Sequence, residues 1–326
     1  MSIEKCIQCG NCTANCDFLK KHDMDLSELY KEKAELCYGC LLCGKCRSHC
    51  PSGIDGRELV LNMRRMMNSQ GKLDKKPYKS IILEKNNYLF KNYSGAKKET
   101  VLFPGCNFPS FFPKTTNKLI DLLQEKLDAG VKFDCCGKPI EELGLAEDAK
   151  RIIHEINRRL SDSGAKRLVT LCPNCYYFLK GKLDIEVVDI YSILYEIGYV
   201  NTEINGTYNV FAPCPDRYDK TILDKISKLV GKDAKFNVVE DIQCCGLGGL
   251  ASCVDKTIPR ELMQRLKDKG LDSIYTYCAT CYGNFYRNEI DDPHHFLIDI
   301  LNSREEFPKG IGSVLNRASF RFKRFK

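Results

Sequence analysis

VKFDCCGKPIEELG, residues 131–144, and NVVEDIQCCG, residues 237–246, hold two adjacent-cysteine pairs, and their reading decides the fold of this chain. Adjacent cysteines rarely bond to each other, because the intervening peptide resists disulfide geometry. Each pair sits in the same longer frame. Twenty-eight residues separate Cys106 from Cys135, and 34 separate Gly137 from Cys172, which opens Cys172-x2-Cys175. In the second copy 29 residues separate Cys214 from Cys244, and 31 separate Gly246 from Cys278, which opens Cys278-x2-Cys281. Two five-cysteine sets therefore recur at an offset of 106 to 109 residues, the pattern of a duplicated metal cradle.

The residues around these sulfurs predict the architecture. VLFPGC, VKFDCC and RLVTLC each place an apolar or β-branched run directly before a cysteine, and YNVFAPC, NVVEDIQCC and SIYTYC repeat the habit. Helical patterns lie between: KTTNKLIDLLQEKLDAG with Leu119, Leu122, Leu123 and Leu127, and EDAKRIIHEINRRL with Ile152, Ile153, Ile156 and Leu160. YDKTILDKISKLVG and PRELMQRLKDKG play the same parts in the second half. Strand, cysteine, helix, strand is a βαβ series, which predicts two repeated α/β units with parallel sheets. Ligands collect beyond the carboxyl ends of such strands, so the cysteines of each copy should converge on one rim.

Twenty cysteines in 326 residues, behind an N-terminus MSIEKCIQCG that lacks an apolar signal core, read as a cytoplasmic metal protein rather than a disulfide scaffold. Any membrane association would run through a partner. The formal charge of +7 invites a nucleic-acid reading, which the sulfurs dissolve. A four-iron, four-sulfur group with four thiolates nets roughly −2, so two such groups remove about four units. Nucleic acid is excluded as a partner.

The chain opens with Cys6-x2-Cys9-x2-Cys12-x3-Cys16, and a second run, CYGCLLCGKCRSHCP, covers residues 37–51. Its spacing Cys40-x2-Cys43-x2-Cys46-x3-Cys50-Pro51 matches the bacterial ferredoxin pattern, while Asp17 stands where the first run would have proline. The resemblance assigns Cys6, Cys9, Cys12 and Cys50 to one cubane cluster, and Cys40, Cys43, Cys46 and Cys16 to another. Cys37 falls out of register and reads as a buried spare thiol, and so does Cys253. LSELYKEKAEL and RELVLNMRRMMNSQ read as helices, the second with Leu59, Met63, Met66 and Met67 on one face. A helix between the motifs fits the α-helical ferredoxin of succinate and fumarate reductases better than the compact β type. The expected division is an α-helical ferredoxin-like domain over 1–70, a helical linker over 71–100, α/β units over 101–200 and 201–302, and a basic C-terminal tail over 303–326. That tail, ending FRFKRFK, reads as a flexible segment or as a docking strip for an acidic partner subunit or an anionic membrane face. His294 and His295 are expected at the surface.

The duplicated frame joined to a two-cluster module resembles the heterodisulfide reductase catalytic subunit of the fused ferredoxin-plus-CCG type. The stretches FPGC (103–106), CCGKPIEELG (135–144) and LCPNC (171–175) carry the likeness further. The resemblance implies that Cys106, Cys135, Cys136, Cys172 and Cys175 bind one noncubane four-iron cluster. Cys214, Cys244, Cys245, Cys278 and Cys281 would bind the other, and a disulfide such as CoM-S-S-CoB would be split between them. These ten are the candidate catalytic residues. FAPCPDR around Cys214 departs from the histidine-rich segment of that family. Lys138, Arg217 and Lys220 are the candidate contacts for an anionic substrate. Electrons would arrive from a donor protein or subunit, whether flavoprotein, hydrogenase, ferredoxin or membrane cytochrome, within a hetero-oligomer. The alternative is a non-catalytic subunit that passes electrons to a quinone, a flavoprotein or an enzyme undergoing reductive activation.

Overall fold

A computed structural model describes residues 3–325. Among the described residues eight short strands form two four-stranded sheets, and every pairing between them is parallel. β1 (Thr100–Phe103), β2 (Gly130–Val131), β3 (Arg167–Thr170) and β4 (Glu186–Asp189) lie in the order β2-β1-β3-β4. β5 (Thr207–Val210), β6 (Lys235–Val238), β7 (Ile274–Thr276) and β8 (Pro293–His295) repeat that order as β6-β5-β7-β8. The six cysteine-linked strands are those the apolar runs predict. β4 and β8 were not legible, because EVVD and PHH are not followed by a cysteine of the repeated frame that would mark them as strands. The order reverses direction between β1 and β3, and again between β5 and β7, which creates a crevice at the carboxyl ends of each pair.

The chain gathers into two compact units that are not contiguous in sequence. One contains the residues up to Asn86, together with Pro139–Ala149 and Glu240–Gly270. The other contains Asn87–Lys138, Lys150–Val239 and the residues from Leu271 onward, and so holds both sheets.

The first unit carries helices and no strand among its described residues. Asp25 caps the Leu26–Lys31 helix in a full capping box with Glu28. That helix stops at Lys31 and the chain continues as a 3-10 turn over Ala34–Gly39, so LSELYKEKAEL is two pieces rather than one. Asp55 caps Gly56–Ser69, whose Leu59, Met63 and Met67 are buried. Met66 is 41% exposed, so the methionine stripe is narrower than expected. Helix 56–69 instead buries Arg64 completely, which no apolar periodicity foretells.

In the second unit the Pro113–Leu127 helix buries Leu119 and Leu123, and Ala146–Asp162, which crosses from one unit into the other, buries Ile152, Ile156 and Leu160. The C-terminal residues are not a loose tail. Gly312–Phe322 is a helix, and Phe320 and Phe325 are buried against Phe133, with ring centroids 4.9 and 5.4 Å away. Asn92 Nδ2 ties the segment down by donating to the carbonyls of Phe320 and Lys323, both at 2.8 Å. Aromatic residues alternating with basic ones anchor the strip on one side and leave Phe322 exposed on the other. Among the described residues no helix is long and apolar enough to cross a membrane.

His294 and His295 part company in β8. His295 is 1% exposed and packs on Phe108 and Phe112 at 5.4 and 5.1 Å, so its expected surface position is corrected. Burial pushes its imidazole down to about 4. His294 lies between carboxylates, 3.1 Å from Asp299 and 2.9 Å from Asp292, and stacks on Tyr275. The Asp299 hydrogen bond, against some loss from burial, raises it to about 9. A raised histidine contributes stability that is complete below its ordinary pKa of 6.5 and disappears as the pH passes 9. His294→Gln should therefore cost about 1–2 kcal/mol at pH 6, after screening of its half-exposed partners, and almost nothing above pH 9. Anaerobic denaturant titrations of both proteins across that window check it.

Candidate metal centres

The two N-terminal motifs take up the same local conformation. Gln8 and Gly10 have φ of 53° and 71°, and their counterparts Leu42 and Gly44 have 49° and 79°. Two left-handed residues in each turn direct successive amides inward, which makes a nest for an anionic group. The amides of Gln8 and Leu42 reach Cys6 Sγ and Cys40 Sγ, both at 3.4 Å, and the amide of Ile54 reaches Cys50 Sγ at 3.4 Å. Cys6, Cys9, Cys12 and Cys50 line one cavity, with Gly10, Leu26 and Ile54 among the other residues of its wall.

Cys16, Cys40 and Cys46 neighbour one another, and Cys16 and Cys43 are the buried cysteines of the four assigned to the second cubane. Cys43 is 8% exposed. Burial, and then the neighbouring Cys40, pushes Cys16 up to about 12, and the same causes in the same order raise Cys46. Burial raises Cys40 too, partly offset by Arg64. Thiols in such an interior ionise only when a cation compensates them, as a metal does. Backbone approaches as closely as it can here: a Cβ on Gly56 would sit 2.5 Å from Cys46 Sγ. The donor set, the amide nests and this cradle fit iron–sulfur groups. Among the described residues no three His, Cys, Asp or Glu side chains close on a point suited to a single ion.

In the sheet-bearing unit, Cys106 follows β1, Cys135 and Cys136 follow β2, and Cys172 and Cys175 follow β3. Cys214 follows β5, and Cys278 and Cys281 follow β7. Cys135, Cys136, Cys175, Cys278 and Cys281 are buried, while Cys106, Cys172 and Cys214 are half-buried. Hydrogen bonds from Cys135 and Cys175 draw Cys136 down to about 5. Those from Cys172 and Cys281 draw Cys278 well below the ordinary thiol range. The two copies therefore touch: Cys172 of the first meets Cys278 of the second. Asn174 Nδ2 lies 3.6 Å from Cys278 Sγ, and Asn107 Nδ2 donates to Thr280 Oγ1 at 2.7 Å, so each copy also grips the other beside its sulfurs.

Cys244 and Cys245 are buried within the compact unit of the N-terminal motifs. The amide of Gly246 donates to Cys244 Sγ at 3.3 Å. The following glycines lie against the loop of the second N-terminal cysteine run, since a Cβ on Gly249 would sit 2.6 Å from the Cys40 carbonyl oxygen. Gln243 Oε1 accepts from the amide of Asp17 at 3.4 Å, while its buried Nε2 finds no protein partner. A donor left over beside Cys244 suits a sulfide-rich group.

Of the three anion candidates, Lys138 and Lys220 are half-buried. Arg217 is 4% exposed, donates to the Ala212 carbonyl oxygen at 2.8 Å and covers the Phe211 ring. The neighbouring Asp216 was missed by sequence reasoning. It is fully buried and accepts from the hydroxyls of Tyr177 and Tyr277 and from the amides of Ile222 and Leu223. That network fixes the loop carrying Cys214 against the segment carrying Cys278. Cys37 is 0% exposed, as expected, whereas Cys253 is only half-buried.

Comparisons with known proteins agree with this chemistry. The CCG cysteine-rich domain family matches residues 100–180 and 208–286, and the 4Fe-4S dicluster domain family matches residues 2–54. An uncharacterized iron–sulfur protein of Methanococcus maripaludis is 24% identical, over 86% of this chain and 66% of its own. One subunit of a fumarate reductase (CoM/CoB) from Methanothermobacter marburgensis is 21% identical over the same shares. One subunit of a ferredoxin:CoB-CoM heterodisulfide reductase from Methanosarcina acetivorans is 28% identical over 50% of this chain and 63% of its own. The chain thus spans no more than about two thirds of the length of these relatives. A crystal structure of a hypothetical protein from Helicobacter pylori shares the fold, with a TM-score of 0.54 at 12% identity, over 89% of this chain and 67% of that one. The chain is an iron–sulfur protein that joins a 4Fe-4S dicluster domain to a duplicated CCG cysteine-rich domain, and it is related to subunits of heterodisulfide reductases.

Proposed function

We propose that this chain is a cytoplasmic disulfide reductase. It receives electrons at an α-helical ferredoxin-like module over residues 1–70 and delivers them to a heterodisulfide of the CoM-S-S-CoB kind at the CCG units over 101–200 and 201–302. The observation that carries the reading is the meeting of Cys172 with Cys278, which brings one sulfur of the first copy against one of the second. Cleaving a disulfide takes two electrons and yields two thiolates. A site with two adjacent thiolate-rich poles can hold one half at each. Bound clusters would supply the one-electron steps, with two cubanes on Cys6, Cys9, Cys12, Cys50 and on Cys40, Cys43, Cys46, Cys16. Two noncubane clusters would occupy the CCG sets. The protein's own part is to hold the sulfurs in register through Asn107, Asn174 and Asp216, and to keep Cys136 and Cys278 ionised. Lys138 and Lys220 are the contacts offered to an anionic substrate, and a hetero-oligomeric partner supplies electrons.

The test is turnover. The full chain, purified without oxygen and chemically reduced, should cleave CoM-S-S-CoB to two free thiols, counted by a thiol reagent. If no thiol is released while the reduced chain passes electrons to a quinone analogue or a flavoprotein, the electron-transfer reading replaces this one.

A further inference from the structure

Arg64 is a fully buried guanidinium whose hydrogen bonds all go to neutral backbone carbonyls. Nε and Nη2 donate to the Cys37 oxygen at 3.2 and 3.0 Å, and Nη2 donates to the Cys40 oxygen at 2.7 Å. Nη1 donates to the oxygens of Glu142 and Gly249, both at 2.7 Å. Its carbon lies 5.0 Å from the centroid of the Tyr38 ring. One side chain thereby joins the second ferredoxin-type loop to the segments that follow both CCG pairs. Among the described residues no carboxylate is ion-paired with it. A buried cation satisfied by carbonyl dipoles alone remains costly until an anion adjoins it.

A cluster on Cys40 would be that anion, and it becomes more negative by one charge on reduction. A fixed cation nearby favours the reduced form over the oxidised one. We infer that Arg64 is a positioning residue that raises the reduction potential of the cluster held by Cys40, Cys43, Cys46 and Cys16, and so makes that centre the low point on which electrons gather before reaching the CCG sets. The inference rests on the assignment of a cubane to those four cysteines. Glu142 opposes Arg64: its carboxylate, 8% exposed and 3.9 Å from Arg57, belongs to the residue whose carbonyl oxygen Arg64 binds, so its negative charge stands in the same interior. Its bond to Arg64 is made by the backbone, so its side chain can be changed without breaking the bond.

The experiment is a redox titration of the full chain followed by electron paramagnetic resonance, in which the Cys40 centre is the signal that Cys43→Ser alters. Arg64→Met should lower the reduced-to-oxidised ratio of that centre at least tenfold at fixed ambient potential, which is about 59 mV for one electron. Arg64→Lys, which keeps the charge, should stay within about threefold of the parent. Glu142→Gln should shift the ratio upward. An unmoved signal in Arg64→Met with full iron content overturns the inference, as does Glu142→Gln shifting downward. If Arg64→Met loses its iron, retention of iron and potential by Arg64→Lys still supports the charge. Loss of iron from both, or an equal shift in both, assigns Arg64 to the fold alone and overturns it. Absence of any four-iron signal from the parent chain would instead sink the iron–sulfur assignment on which the inference stands.

Discussion

Cys278→Ser should lower disulfide turnover by about 10³-fold or more while leaving the two N-terminal centres reducible. Cys278 is 1% exposed and is drawn toward the thiolate by Cys172 and Cys281. A serine hydroxyl keeps the volume but ionises far less readily and is a poorer ligand for iron. Because Cys278 meets Cys172 of the other copy, the substitution should disturb the spectra of both CCG sets and not only its own. Cys172→Ser should do the same from the opposite side. Turnover measured alongside dye-linked electron uptake separates the outcomes. If either variant keeps parental turnover, the two sets do not act as one site and the proposed reaction fails.

Gly56→Ala should strip about four iron atoms from each chain, despite being a change that favours helix. Gly56 opens the Gly56–Ser69 helix, where alanine is preferred by up to about 1 kcal/mol. Sterics decide the other way. The added methyl would stand 2.5 Å from Cys46 Sγ and 2.8 Å from Leu26 Cδ1. Leu26 can rotate, but a sulfur held by iron cannot retreat without leaving its ligand position. Overpacking alone would cost about 1–3 kcal/mol, so the helix should survive while the cluster does not. Circular dichroism should stay near parental and iron analysis should fall. Full iron content with an unaltered resonance signal would show that Cys46 does not ligate.

The cysteine frame and the apolar runs before the sulfurs were legible because both are local. A short strand followed within a few residues by a cysteine writes its pattern in one short window, and a repeat at an offset of 106 to 109 residues shows by simple comparison. The parallel sheets follow from that alternation by the rules of chain connection. The long helices were legible for the same reason, as an apolar stripe repeats along one segment.

What the tertiary structure alone decided lies in groups whose partners are remote or carry no side-chain signature. Arg64 takes carbonyl oxygens from residues as far away in sequence as Gly249, and a carbonyl is the same at every position. Asp216 and Arg217 are adjacent charges that the sequence ranks alike, yet one organises two tyrosines and two amides while the other fills the space over Phe211. His294 and His295 point to opposite faces of a strand, so one meets carboxylates and the other an aromatic core. Composition names the ligands; only the folded chain chooses which sulfurs meet across the two copies, because that choice depends on distances that no spacing along the backbone encodes.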